Sequence, residues 1–203
     1  MFTAKEARKT LQRYRKKGLN KLELQMVASV STGARHGARV LEIGGGIGTI
    51  QAELLVGGAD RGEVIELVSA YEPYARELAR DKGIEDRSLF RVADVLERPD
   101  TIAPADVVIL NRVVCCSAEG VRLTATAARL AERMLLLSYP RDRVVVRIVG
   151  RVLNFGLWIM RRSFRVFLHP PSSLHAAARA EGLVVAETGQ AFAWEFAALR
   201  RTV

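Results

Sequence analysis

Val40-Leu41-Glu42-Ile43-Gly44-Gly45-Gly46-Ile47-Gly48-Thr49-Ile50 decides how the rest of the chain is read. Arg39 to Ile43 is a short apolar run broken by one acid, the signature of a strand buried in a parallel sheet. The glycines that follow let the backbone turn sharply and bring its N–H groups close to a ligand. Ile50, Leu54 and Leu55 then recur at helical spacing, so the loop feeds a helix N-terminus with unpaired donors and a positive dipole end. The spelling is Glu42-x-Gly44-x-Gly46-x-Gly48, with the acid two residues ahead of the first glycine. A dinucleotide fingerprint of the form G-x-G-x-x-G would require glycine at Thr49. An acid beside the loop suits a ligand carrying an ammonium group better than a pyrophosphate. A purely structural turn is the alternative, so the remainder of the chain must decide.

Beyond the loop, strand-like and helix-like segments alternate. Glu63 to Val68 reads as a second strand with Glu66 near its C-terminal end, and Tyr71 to Asp81 as a helix stopped by Gly83. A third strand, about Ser88 to Ala93, delivers Asp94. The apolar run Asp106 to Leu110 delivers Asn111-Arg112. Ala118 to Arg133 reads as a helix, Met134 to Ser138 as a fifth strand ending in Tyr139-Pro140, and Ser173 to Glu181 as a helix. Leu183 to Glu187 and Phe192 to Leu199 have no helix between them and predict a hairpin. The alternation implies an α/β fold with helices on both faces of a seven-stranded, mostly parallel sheet containing one antiparallel strand. Ligands bind such sheets at the carboxyl ends of the strands. Glu42 to Gly48, Glu66, Asp94, Asn111 and Tyr139 are therefore the residues to weigh.

Together these features resemble the class I S-adenosylmethionine-dependent methyltransferases. The glycine loop matches their first motif and implies cofactor contacts from Glu42, Gly44, Gly45, Gly46 and Gly48. Glu66, followed by Leu67, matches the acid that accepts hydrogen bonds from the ribose hydroxyls. Asp94, followed by Val95, matches the acid that meets the adenine amine while its apolar neighbour packs on the ring. Asn111 and Arg112 would line the cleft on the sulfonium side. A closer resemblance, from Tyr14 onward, is to the magnesium-protoporphyrin O-methyltransferase family. Tyr14-Arg15-Lys16-Lys17-Gly18-Leu19, the glycine loop, Asn111-Arg112-Val113-Val114-Cys115-Cys116 and Phe167-Leu168-His169-Pro170 carry it. It implies an N-terminal arm whose tyrosine, here Tyr14, closes over the cofactor. The family's histidine near the fourth strand falls at Cys115, and its following Tyr-Pro becomes Cys116-Ser117.

Composition narrows the classes further. The 203 residues are 49% hydrophobic, enough for one domain with a sizeable core. No apolar run has the length of a membrane span and no signal-peptide pattern opens the chain, so the expected location is cytoplasmic. Adjacent Cys115 and Cys116 do not make a disulfide framework, and no Cys/His set has metal spacing. The net charge of +9 admits nucleic acid, an anionic membrane or an acidic substrate, and an arginine-rich composition that follows from GC-rich coding is an alternative source of it.

Two segments frame the expected domain. Residues 1–35 read as a helical arm in two parts, with Thr3 to Glu6 as a capping box and Gly18 as the break. Leu19, Leu22, Met26 and Val30 form a packing stripe, whereas Lys5 to Lys17 looks too polar to bury itself. Residues 141–168 are too long for a simple crossover. Arg143, Arg147 and Arg151 share one face of a helix there, and Val144, Val145, Ile148, Val152, Phe155 and Trp158 cover much of the rest. A lid packed on the core, a helix docked on an anionic membrane or partner, and a cap over an acceptor pocket are the three readings of it. The third favours an apolar, anionic small-molecule acceptor lying between the cap, Tyr139 and His169.

Methyl transfer is an in-line displacement, so the protein must mainly align the acceptor and exclude water. Tyr139, His169 and the arm's Tyr14 are the catalytic candidates, with His175 and Cys115 as further candidate bases. O-methylation is the favoured chemistry. A nucleic-acid methyltransferase is less favoured, because Asn111-Arg112-Val113-Val114 is not an Asn-Pro-Pro-Tyr motif. A non-enzymatic binding protein and a nicotinamide oxidoreductase are the remaining readings. The acceptor and the oligomeric state are left open.

Overall fold

In the computed structural model, which describes residues 3–30, 32–161 and 164–202, the sheet is built outward from the Arg39–Ile43 strand. Ser31, near the end of the expected helical stretch, and Arg162 and Ser163, in the basic run after the cap, lie outside the described residues. The strands are β1 (Arg39–Ile43), β2 (Arg61–Glu66), β3 (Ser88–Val92), β4 (Ala105–Leu110), β5 (Ala131–Pro140), β6 (Leu183–Ala191) and β7 (Trp194–Arg201). Their order is β3-β2-β1-β4-β5-β7-β6. All pairings among β1 to β5 are parallel, and β7 runs antiparallel to both neighbours. The expected seven-stranded sheet with one antiparallel strand is what the chain forms.

Between the strands run α1 (Ala4–Lys17), α2 (Lys21–Ser29), α3 (Thr32–Arg35), α4 (Thr49–Val56), α5 (Glu72–Lys82), α6 (Gly120–Leu130), α7 (Val144–Ile159) and α8 (Pro171–Ala180). Strand side chains alternate between two cores. Val40, Val107, Ile109 and Leu136 pack toward α2, α4 and α5, with Met26, Leu54 and Leu78. Leu41, Val108, Leu110 and Leu137 pack toward α6 and α8, with Leu123, Ala127 and Leu174. Central strands covered on both faces carry the continuous apolar runs read in β1 and β4.

Several boundaries differ from expectation: β6 runs on to Ala191 rather than Glu187, and β7 starts at Trp194 rather than Phe192. β5 starts at Ala131 rather than Met134, because Ala131 pairs with Ala105. Ala131-Glu132-Arg133 has helical composition, and sheet pairing overrides that weak preference. The arm differs more. Lys5 to Lys17 is not too polar to pack: Ala7, Leu11 and Tyr14, at helical spacing, are buried against α5 and the Ser69–Tyr71 turn. Arg15 Nη2 pairs with Glu77 at 2.7 Å and Asp81 at 2.6 Å, using charge to dock an otherwise polar helix. Thr3 caps α1 through the Glu6 N–H, and Gly18 ends it with φ of 66°. The full capping box belongs instead to α2, between Asn20 and Glu23.

Candidate functional site

The strand order reverses between β1 and β4, and a cavity of about 270 Å³ opens at the carboxyl ends of β1 to β4. Its wall takes Gly44 and Gly46 from the loop after β1, Glu66 and Leu67 from the end of β2, and Asp94 and Val95 after β3. Arg112, Val113 and Cys116 after β4 close the far side. Seven of the residues expected to hold a cofactor therefore line one cavity.

The loop's shape follows from what its glycines touch. A Cβ on Gly45 would sit 2.6 Å from Glu42 Cγ, so the loop rides directly on that side chain. Gly46 has φ of 59°, and a Cβ there would meet only Tyr71 at 3.4 Å, so its free side faces the cavity. Glu66 fixes the loop from the neighbouring strand. Its Oε2 accepts the Gly46 N–H at 3.0 Å, while Oε1 accepts the N–H groups of Leu67 and Val68 at 2.9 and 3.2 Å. A carboxylate has about four acceptor sites, which leaves Glu66 one, on Oε2, for a ligand hydroxyl. Asp94 Oδ1 accepts the Leu96 N–H at 2.8 Å, and Oδ2 has no partner among the described residues.

Glu42 has a different position from the one expected. It is buried, does not line the cavity, and accepts the Gln51 N–H at 3.0 Å through Oε2. Burial pushes its carboxyl up to about 8, reinforced by Glu23 and Glu66, so at neutral pH it is a protonated brace under the loop. Gly45 and Gly48 likewise support the loop without lining the cavity. Asn111 also serves as a brace: its Oδ1 accepts from Ser138 Oγ at 2.8 Å, and that hydroxyl in turn accepts the Arg112 N–H at 2.8 Å. The clamp holds Arg112 at φ of 57°, a left-handed conformation unusual for a residue with a side chain. The guanidinium stacks 4.9 Å from the Trp194 ring, and Nε is buried without a partner. Burial lowers its pKa, and it is the only cation among the described lining residues.

The three catalytic candidates are not brought to this cavity. Tyr14 donates to Glu53 on α4, with Lys82 Nζ over its ring at 5.1 Å; burial and Glu53 push its phenol up to about 12. It anchors the arm to α4 and α5 rather than covering the cleft. Tyr139 is fully buried, because its β5 position points into the α6–α8 core and not along the strand end. Its hydroxyl lies 2.8 Å from His175 Nε2 and donates to Glu195 at 3.2 Å. Burial keeps that phenol protonated and lowers His175. His169 Nε2 is 2.9 Å from the Ser117 carbonyl and lines a second cleft of about 380 Å³, with Arg141, Arg147 and Arg151. Cys115 is buried, its thiol pushed up by the adjacent Cys116 thiol and by burial, which excludes it as a ready nucleophile.

Helix α7 forms where an amphipathic helix is expected, but it does not cap the first cavity, whose lining contains none of its residues. Sequence reading missed Glu23, Ser138 and Trp194, which hold Asn111 and Arg112 from α2, β5 and β7 without lining the cavity. Only Glu23 had a local signal, its place three residues after Asn20 in a capping box. Among the described residues, no group of His, Cys, Asp or Glu is placed to hold a metal ion.

No family model matches the sequence, and no curated protein matches it. Its likeness is to solved structures. One is magnesium protoporphyrin IX methyltransferase from Synechocystis with bound SAH, at 19% identity, covering 89% of this chain and 82% of that one, with a TM-score of 0.73. An O-methyltransferase family protein from Burkholderia thailandensis is 22% identical over 90% of this chain and 57% of its own, with a TM-score of 0.70. An O-methyltransferase family 2 protein from Planctomyces limnophilus, in complex with apigenin, is 16% identical over 100% of this chain and 62% of its own, with a TM-score of 0.74. The chain thus has the class I methyltransferase fold and spans about three-fifths of the last two proteins.

Proposed function

We propose that this protein is an S-adenosylmethionine-dependent methyltransferase acting on an apolar, anionic small molecule, with O-methylation as its chemistry. The observation that carries the proposal is one cavity at the sheet's switch point that joins an open glycine loop, two carboxylates and a single half-buried cation. Gly44 and Gly46 let a ligand approach the backbone. Glu66 Oε2 has an acceptor site left for a ribose hydroxyl, and Asp94 has a free acceptor for the adenine amine beside Val95 and Leu67. These groups fit S-adenosylmethionine, and the Synechocystis neighbour was solved with its product form, SAH. When bound, the cofactor supplies a methyl group already activated by its sulfonium.

The acceptor class follows from the remaining wall. Val113, Leu123 and Leu96 make it apolar, while Arg112 offers a partly desolvated positive charge with an unsatisfied Nε. Leaving such a group unpaired is costly, so an anionic partner is the favoured occupant. A carboxylate is ionised at neutral pH and needs no general base. That agrees with a lining that contains no histidine among its described residues and with hydroxyls of Tyr14 and Tyr139 committed elsewhere.

The test is a mass-spectrometric screen of apolar carboxylic acids with deuterated-methyl cofactor. The expected result is a labelled ester whose KM rises in Arg112→Gln while SAH affinity is kept. If Arg112→Gln weakens SAH instead, Arg112 serves the cofactor's own carboxylate, and the anionic-acceptor assignment falls. Absence of label from every acid, with label on a neutral or amine acceptor, overturns the acceptor class.

A further inference from the structure

Helix α7 is fixed to the protein by a narrow face. Gly150 and Leu157 are its buried residues, and a Cβ on Gly150 would lie 3.0 Å from Leu168 Cδ1. Asn154 clamps the Val166 backbone in both directions, donating to its carbonyl and accepting its N–H, each at 2.7 Å. These contacts set the rotation of the helix about its axis. The rest of its surface is turned outward.

What it turns outward is apolar. Val145, Ile148, Val149, Val152, Phe155 and Ile159 fall on one continuous face and are each 52% to 69% exposed. A surface helix normally buries its apolar stripe and presents its polar one, and α7 does the reverse. Arg151 flanks that face beside Phe155, Arg147 stands further round toward the cleft that both arginines line, and Arg143 is the extended residue that caps the helix. Arg147 pairs with Asp142 at 2.6 Å, whereas Arg143 and Arg151 have no acidic partner among the described residues. Exposed Trp158 stacks on Phe155 at 5.9 Å between their centroids, on the Arg151 side of the face. Apolar residues on one side, Arg151 at the edge and an exposed aromatic beside it are the pattern of a helix that lies in a membrane interface. Among the described residues no helix is long and apolar enough to cross a membrane, so the contact is lateral.

We infer that the outward face of α7 seats the protein on an anionic lipid surface. Charge complementarity selects this occupant. The chain carries +9, and α7 contains no acidic residue, so a second copy's α7 laid against it would bring arginine to arginine. A negatively charged leaflet meets these arginines with opposite charge while the apolar face enters the acyl boundary. The inference stands independently of the proposed chemistry, because the α7 face lies outside the cofactor cavity.

The test uses the full chain with vesicles of phosphatidylcholine, alone or mixed with phosphatidylglycerol, in a co-sedimentation assay across a salt series. The expected result is binding roughly tenfold or more tighter to the anionic vesicles, weakening with salt, and a blue shift of Trp158 fluorescence that Trp158→Phe removes. Ile148→Glu with Phe155→Glu should abolish sedimentation, and Arg143→Gln with Arg151→Gln should reduce the preference for anionic lipid. All are exposed positions, so SAH affinity serves as the check that the fold is intact. Equal binding to neutral and anionic vesicles, or unchanged binding by the Glu variant, overturns the inference. So does a wild-type dimer that the Glu variant converts to monomer in sedimentation without any vesicle binding.

Discussion

The glycine-loop half of the sheet and helix α7 are both rich in aliphatic side chains, yet they use them in opposite directions. Around β1, alternate residues go to two cores, and Val108, Ile109 and Leu110 are all fully buried. On α7, Val145 and Val152 remain 69% and 65% exposed. The difference is one of covering. A central strand has a neighbour on each edge and helices on both faces, so its apolar content is consumed by the fold. A helix held by Gly150, Leu157 and Asn154 leaves most of its circumference to whatever the protein meets. Apolar composition by itself therefore does not separate a core element from a docking element; the number of covered faces does.

Stability measurements are the bluntest way to break this comparison. Leu54, fully buried on α4 behind the glycine loop, should cost about 2–5 kcal/mol when changed to alanine. Val152→Ala should change stability by no more than about 0.5 kcal/mol, because the side chain is already in solvent. A urea midpoint for Val152→Ala that falls as far as that of Leu54→Ala would mean α7 is packed in solution.

A titration prediction is comparable in size. The Glu42 carboxyl is raised from 4.5 to about 8 by burial, so the folded state holds its proton more tightly than the unfolded chain does. Its contribution is complete below the unfolded value and is lost as pH rises through about 8. Glu42→Gln should remove that loss, making the variant more stable than wild type at pH 9 by roughly 4–5 kcal/mol and nearly equal to it at pH 4. Parallel stability curves for the two proteins across this window would show that Glu42 is ionised under the loop.

Glu66→Ala probes the open side of the same carboxylate pair. It strips acceptors from the N–H groups of Gly46, Leu67 and Val68 and removes a cavity carboxylate, so SAH affinity should fall by roughly 1–3 kcal/mol. Calorimetry showing unchanged affinity would take Glu66 out of the site. The smallest effect is expected at the arm, where Tyr14→Phe gives up one hydrogen bond to Glu53 and should cost about 1 kcal/mol in thermal unfolding, with SAH affinity unchanged. An affinity loss there would put Tyr14 over the cofactor after all.

These cases also show which parts of the molecule were legible in the sequence. The seven-stranded mostly parallel sheet, its one antiparallel strand and the clustering of Gly44, Gly46, Glu66, Asp94 and Arg112 follow from local patterns, because parallel sheets bring successive strand ends to one edge. The direction of a side chain at a strand end does not follow so simply. Tyr139 and Glu42 sit at the right height in the sheet but point into packed cores, and a one-residue phase decides this. Ser138 reaches Arg112 through the pairing of β4 with β5, and Trp194 through that of β5 with β7, which no short spacing encodes. The burial of Ala7, Leu11 and Tyr14 was hidden for another reason: a thin apolar stripe among many lysines and arginines suffices when ion pairs from Arg15 complete the dock.

The central claim is that the cavity under the glycine loop is built for S-adenosylmethionine, and isothermal titration with SAH and with NAD tests it most directly. Wild type should bind one SAH per chain and give no heat with NAD. Gly46→Val should lose SAH, because its side chain would enter the cavity from a left-handed backbone position. A folded wild type that binds NAD but not SAH, or a Gly46→Val variant that binds SAH as tightly as wild type, would contradict the account.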